Sequence, residues 1–241
     1  MTFLREMSFF FVTICLFRVF RNALKIGLEM IHPHTEVKYI SDVKGYGVVA
    51  KQFIPKGTVT WVLDDLDREF KPDEIEHLDP VYQQILDTYT FRNSAGNHVL
   101  CWDHGRYVNH SFNSNCLTTA YDFEIAIRDI YPGEELTDDY GYLNIGSPFR
   151  ALDEGTRRKT VYPDDLKRYY KVWDRKLWSA FKRIGKVSQP LHHLIREAQW
   201  QYYLDVAMGK EPMESILACY FPGSENGAMV PVQNGHSNHA V

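Results

Sequence analysis

The sequence predicts a β-rich α+β fold with a helical C-terminal region. Three observations point there: short strand-forming runs bounded by turn residues, one helical stretch set among them, and no regular alternation of strand and helix. With 241 residues, 44% of them apolar, the chain can bury one full core, or a core with a helical appendage.

The elements follow in order. From Glu36 to Leu63, strand formers occupy Val37 to Ile40, Val48 to Ala50 and Thr58 to Leu63, with turn signals at Lys44-Gly45-Tyr46-Gly47 and Pro55-Lys56-Gly57. This predicts a strand-turn-strand meander. Pro72 to Thr88 predicts one helix, because Ile75, Leu78, Val81, Tyr82, Ile85 and Leu86 recur at helical spacing behind the start signal Pro72-Asp73-Glu74. Short strands resume at Tyr89 to Phe91, His98 to Trp102, Leu117 to Tyr121 and Glu124 to Arg128, and Pro132-Gly133 closes the last in a turn. A loop carrying Gly146, Pro148 and Gly155 leads into a helix from Asp164 to about Lys182, whose apolar face is Tyr169, Val172, Trp173, Leu177 and Phe181. A second helix, Leu191 to about Met208 behind Pro190, predicts an antiparallel hairpin against the core.

This divides the chain into a main domain at 36–145 and a helical extension at 146–221. Residues 222–241 are rich in Gly, Ser, Asn and His and lack apolar periodicity, which predicts a disordered tail. Residues 1–30 are set apart from the fold. Ser8 to Phe17 is apolar at most positions and flanked by Arg5, Arg18 and Arg21, like the hydrophobic part of an export signal, but no small-residue cleavage site follows. The run is also short of the ~20 residues a membrane-spanning helix needs. A start at Met30 is the other reading of this segment.

Twenty-seven basic and 31 acidic residues leave a net charge of -4, so no overall positive field exists to hold nucleic acid. Cys15, Cys101, Cys116 and Cys219 are widely spaced, with neither a CxxC pair nor a histidine cluster at zinc spacing. They read as reduced thiols of a cytoplasmic protein that needs no metal.

Three polar clusters stand out. Lys44-Gly45-Tyr46-Gly47 is a turn where glycine lets a ligand approach the backbone, although a plain hairpin turn has the same composition. Arg106-Tyr107-Val108-Asn109-His110-Ser111, continued by Asn113 to Cys116, is dense in amide and imidazole groups that can bind a ligand or satisfy their own loop. Gly133 to Gly141, GEELTDDYG, is a carboxylate run ending in Tyr140, without the ligand spacing of a calcium loop.

In this order and at these separations the three clusters resemble the signatures of SET-domain protein-lysine methyltransferases, over roughly Glu36 to Tyr142. The resemblance implies a SET fold of short strands in small sheets, with the middle and final motifs crossing as a threaded pseudoknot. It implies S-adenosylmethionine as cofactor and a protein presenting a lysine as substrate. By the same resemblance, Lys44, Gly45, Tyr46 and Gly47 contact the cofactor through backbone groups. Asn109 and His110 hydrogen-bond it, Tyr107 packs nearby, and Tyr140 stands beside the transferred methyl as the catalytic residue. Tyr89, Phe91, Tyr121 and Tyr142 are candidate walls of the lysine channel, and equally candidate core aromatics. Asp138 stands where many relatives carry phenylalanine or tyrosine, a position that influences how many methyl groups are added. An apolar channel beside a sulfonium lowers the lysine pKa by desolvation and like-charge repulsion, so no dedicated base is required. No cysteine-rich zinc segment follows the domain, which leaves the C-terminal helices to close the channel, with Tyr170, Trp173 or Trp178 at its rim. A noncatalytic protein-binding module and a methyltransferase for a small amine are the alternatives.

Overall fold

The structure, a computed structural model, describes residues 30–223. The expectations for residues 1–29 and 224–241 lie outside the described residues. Among the described residues no helix is long and apolar enough to cross a membrane.

The β-rich α+β expectation holds, and the strands of the described residues are divided among five small sheets. Strands β1 (Thr35–Ser41) and β2 (Gly45–Ala50) form an antiparallel hairpin. Its turn needs Gly45, whose φ of +69° lies in the left-handed region. Strand β3 (Val59–Val62) pairs with β9 (Phe123–Ala126), which pairs with β8 (Cys116–Thr118). A third sheet holds β4 (Arg68–Phe70), β6 (His98–Leu100) and β5 (Thr90–Arg92) in that order. The shortest pairs are β7 (Asn109–His110) with β10 (Thr137–Asp138), in parallel, and β11 (Phe149–Arg150) with β12 (Thr160–Val161).

The β3-β9-β8 sheet separates two cores. Val59, Leu117, Phe123 and Ile125 face the first, which is completed by the C-terminal helices. Trp61, Cys116 and Ala126 face the second, with Ile31, Val48, Ile54, Val108 and Leu136. Val59 and Trp61 are two residues apart and would ordinarily share a face; an irregularity in register between them turns Trp61 to the opposite side. Each fully buried side chain of this size contributes about 1.5–3 kcal/mol.

Two predicted helices are each interrupted. The Pro72 to Thr88 stretch is α1 (Pro72–Glu76) and α2 (Pro80–Tyr89), because Pro80 offers no N–H and holds Asp79 extended, where its carboxylate caps Val81. Of its apolar positions only Leu86 is buried. The predicted Leu191 to Met208 helix is a 3-10 turn (His192–Leu194) followed by α4 (Glu197–Ala207), with Ile195 and Arg196 extended between them. Leu194 and Ile195 pack on the first core in this arrangement. The long helix α3 (Asp165–Phe181) buries Leu166, Trp173, Leu177 and Phe181. Strand β4 is too short to have been marked by periodicity.

Candidate functional site

The site forms where β7 and β10 lie side by side. Thr137 is in register with Asn109 and Asp138 with His110. The Ser111 N–H donates to the Asp138 carbonyl at 2.8 Å, while Asn115 exchanges bonds with Thr137 and donates through Nδ2 to the Glu135 carbonyl at 2.8 Å. The final motif is therefore tied to both ends of the 109–115 segment, which brings clusters about thirty residues apart into one place.

The β1-β2 turn closes against them. Asn109 Nδ2 donates to the Tyr46 carbonyl at 2.9 Å and to Glu135 Oε1 at 2.7 Å. Glu135 also takes Lys44 Nζ at 2.8 Å. A side chain at Gly47 would place its Cβ 2.5 Å from Glu135 Oε1 and 2.9 Å from Asn109 Nδ2, so any other residue must push these side chains aside. The Tyr46 ring itself is exposed.

His110 and Tyr140 meet at the crossing. The Tyr140 N–H donates to His110 Nδ1 at 3.1 Å, and the Tyr140 hydroxyl donates to the Val108 carbonyl at 2.7 Å. Burial, then the charges of Asp138, Glu135 and Glu124, raise the Tyr140 pKa, so the phenol keeps its proton. Burial lowers that of His110 to about 4, leaving a neutral ring. With Nδ1 accepting, the proton of that neutral ring sits on Nε2, which is buried without a hydrogen-bond partner. Such a donor costs about 1–3 kcal/mol unless a ligand accepts from it.

The segment after the crossing covers this centre. Phe149 lies edge-on to His110 at 5.6 Å and to Tyr140 at 6.3 Å between ring centroids. Glu154 accepts from the Ser111 hydroxyl at 2.9 Å and the Phe112 N–H at 3.0 Å. Arg158 pairs with Asp139, next to the tyrosine, and with Asp165 at the start of α3. A polar cleft of about 310 Å³ opens here, lined by Lys44, Ser111, Glu135, Thr137 and Glu154 among others. A larger one, about 680 Å³, lies away from all three motifs, between Asp174, Trp178 and Lys210 to Met213. The smaller is the relevant one, because its lining joins all three motifs.

The structure thus brings together Lys44 to Gly47, Asn109, His110, Asp138 and Tyr140. Tyr107 is flanked by Tyr46 at 6.4 Å and Tyr89 at 5.8 Å, in a row of aromatic rings at the surface. Phe91 packs on Trp61 and the second core. Two of the candidate channel walls are placed elsewhere. Tyr121 stacks among Phe123, Phe181 and Tyr203 of the first core, and Tyr142 is 1% exposed against Trp173. Both rings pack on the first core, since the strand end at Tyr121 and the turn after Tyr140 face the C-terminal helices. Trp173 is buried there too, and Trp178 lines the distant cleft.

Sequence reasoning missed Glu124, Glu135, Phe149, Glu154 and Arg158. A signal existed for Glu124, an acid inside the apolar strand run Phe123 to Ile127. None existed for Arg158 or Glu154, which lie in a polar loop. Among the described residues no group of three or more His, Cys, Asp or Glu side chains could hold a metal ion, and Cys101, Cys116 and Cys219 are free thiols.

No curated protein matches the chain. Residues 45–141 match the family model of the SET domain, a span that begins at the glycine of the β1-β2 turn and ends beside Tyr140. This stretch of the chain is thus a SET domain, a family whose members are in general methyltransferases.

Proposed function

We propose that this protein transfers a methyl group from S-adenosylmethionine to the side-chain amine of a lysine in another protein. The observation that carries the reading is the convergence of the three motifs on Tyr140, whose protonated hydroxyl is fixed on the Val108 carbonyl at 2.7 Å. The cofactor supplies an electrophilic methyl group when bound.

The residues present fit that cofactor. The unpartnered Nε2 of His110 offers a buried donor, and the absence of a side chain at Gly47 lets Glu135 and Asn109 close on the turn. Lys44 and Glu135 set opposite charges beside the cleft, suited to a ligand carrying both an ammonium and a carboxylate. Tyr140 then orients the reacting groups: its oxygen and the Val108 carbonyl present a concentrated negative potential to an electron-poor methyl hydrogen. Phe149, over His110 and Tyr140, keeps water from the same place. The protein's contribution is alignment and exclusion of solvent, the main requirements of an in-line displacement.

Calorimetric titration of S-adenosylmethionine into the protein tests the reading, with Asn109→Ala in parallel. Saturable binding that the variant loses, followed by transfer of labelled methyl to lysine peptides, is the expected result. Folded protein that binds no S-adenosylmethionine would refute it.

A further inference from the structure

Next to Tyr140 lies a buried polar cluster to which the alignment role assigns no task. Asp138 precedes Tyr140 by two residues in extended chain, so the two side chains leave on the same side. Glu124, on β9, is opposite Trp61 of β3 and shares its face of the sheet, toward the second core. Glu124 and Asp138 are 9% and 5% exposed, within hydrogen-bonding reach of each other, and the Tyr142 hydroxyl lies near Asp138 as well.

Three buried atoms in this region lack a hydrogen-bond partner: Asp138 Oδ1, the Tyr142 hydroxyl and Nε1 of Trp61. The indole N–H points to the Gly105 side, where a Cβ would meet Trp61 Nε1 at 2.8 Å and Asp103 Oδ1 at 3.0 Å. A buried acceptor and a buried donor left open together cost about 1–3 kcal/mol each, a cost that a polar guest would remove.

We propose that Asp138, held in place by Glu124, receives the ammonium group of the substrate lysine and takes its proton before methyl transfer. The inference rests on the methyltransferase reading and adds to it a dedicated base. The step balances: an ammonium N–H bond breaks, an O–H bond forms at Asp138, and the electron pair stays on nitrogen. That pair then forms the bond to the methyl carbon as the carbon–sulfur bond breaks with its pair on sulfur. The proton on Asp138 afterwards leaves to solvent.

The surroundings favour this division of labour. Burial raises both carboxyls; the hydrogen bond between them raises Glu124 further and draws Asp138 down, so the proton of the pair resides on Glu124. The Tyr142 hydroxyl lies near the same carboxylate, Asp139 and Tyr140 follow it in sequence, and Cys116 and Asp103 face the pair from β8 and the loop before β7. Asp138 offers an open acceptor, Oδ1, two residues from Tyr140.

The test uses n-butylammonium as a stand-in for the lysine side chain and 1-butanol as its neutral counterpart, titrated into the full chain and followed by saturation-transfer NMR. The ammonium should bind at least about tenfold more tightly than the alcohol. Asp138→Asn should lose the preference, while Glu124→Gln, whose amide still donates to Asp138, should keep it. With a lysine peptide and S-adenosylmethionine, Asp138→Asn should slow transfer about tenfold or more at neutral pH and recover near the free lysine pKa of about 10.4. Equal binding of the two probes by folded wild-type protein overturns the inference, and needs no variant to fold. An unchanged pH–rate profile in Asp138→Asn overturns it equally. Both results leave cofactor binding intact, whereas protein that binds no S-adenosylmethionine overturns the function itself.

Discussion

Replacing Arg158 by methionine should cost about 4 kcal/mol at pH 8. The guanidinium, 19% exposed, sits between Asp139 and Asp165, which are 4% and 1% exposed. It also lies 4.5 Å from the ring centres of both Phe112 and Tyr169. Removing one partner of a buried ion pair costs about 3–5 kcal/mol, because the abandoned carboxylate stays out of water. Here two carboxylates are abandoned, and the methionine stem restores only part of the packing on the rings. Against a total stability of about 5–15 kcal/mol this is a large share. The pH dependence follows from Asp139, whose carboxyl burial pushes up and Arg158 draws back down. Without the arginine the upward push of burial is opposed only by the Gly141 N–H and the Lys176 charge, so the folded variant binds a proton at a pH where the unfolded chain does not. Its deficit should therefore shrink as the pH falls from 8 to 5. Urea unfolding followed by tryptophan fluorescence reads both quantities. A deficit under about 1 kcal/mol at pH 8, or one that grows on acidification, would refute the account of Arg158 as the tie between the Tyr140 segment and the C-terminal helices.

Gly47→Ala should lower stability by about 1–3 kcal/mol and abolish S-adenosylmethionine binding, since the new Cβ must displace Glu135 or Asn109; calorimetry showing wild-type affinity would contradict the tight fit. Tyr140→Phe should remove most methyl transfer at nearly unchanged cofactor affinity, because the hydroxyl acts at the reacting group, and a radiolabelled transfer assay at full rate would exclude that role. His32 is 2% exposed, and burial with the charges of His34 and Lys51 lowers its pKa to about 4. A base depressed on folding gives stability that is whole above pH 6.5 and lost down to pH 4, about 3 kcal/mol over the window. His32→Gln should lose correspondingly less between pH 7 and pH 4.5 in urea titrations, and equal losses would place the acid sensitivity elsewhere.

Local chemistry made much of this protein legible before any coordinates. Strand formers between Gly and Pro turns marked most strands, Gly45 and Gly47 marked the turn that approaches the site, and the order of three polar motifs marked Asn109, His110 and Tyr140. These features depend on backbone conformation and short-range spacing, which a sequence displays directly. The interruption at Pro80 was equally local, and the helical periodicity across it concealed a proline that was in plain view. What only the tertiary structure decided is which side chains meet across the fold. Tyr121 and Tyr142 pack with the first core because the C-terminal helices cover them. Glu135, Glu154 and Arg158 enter the site because loops far apart in sequence close on it. Glu124 reaches Asp138 only because a register irregularity and strand pairing set both on the side of the second core. Burial and charge pairing are properties of neighbours in space, and the chain order carries no record of them.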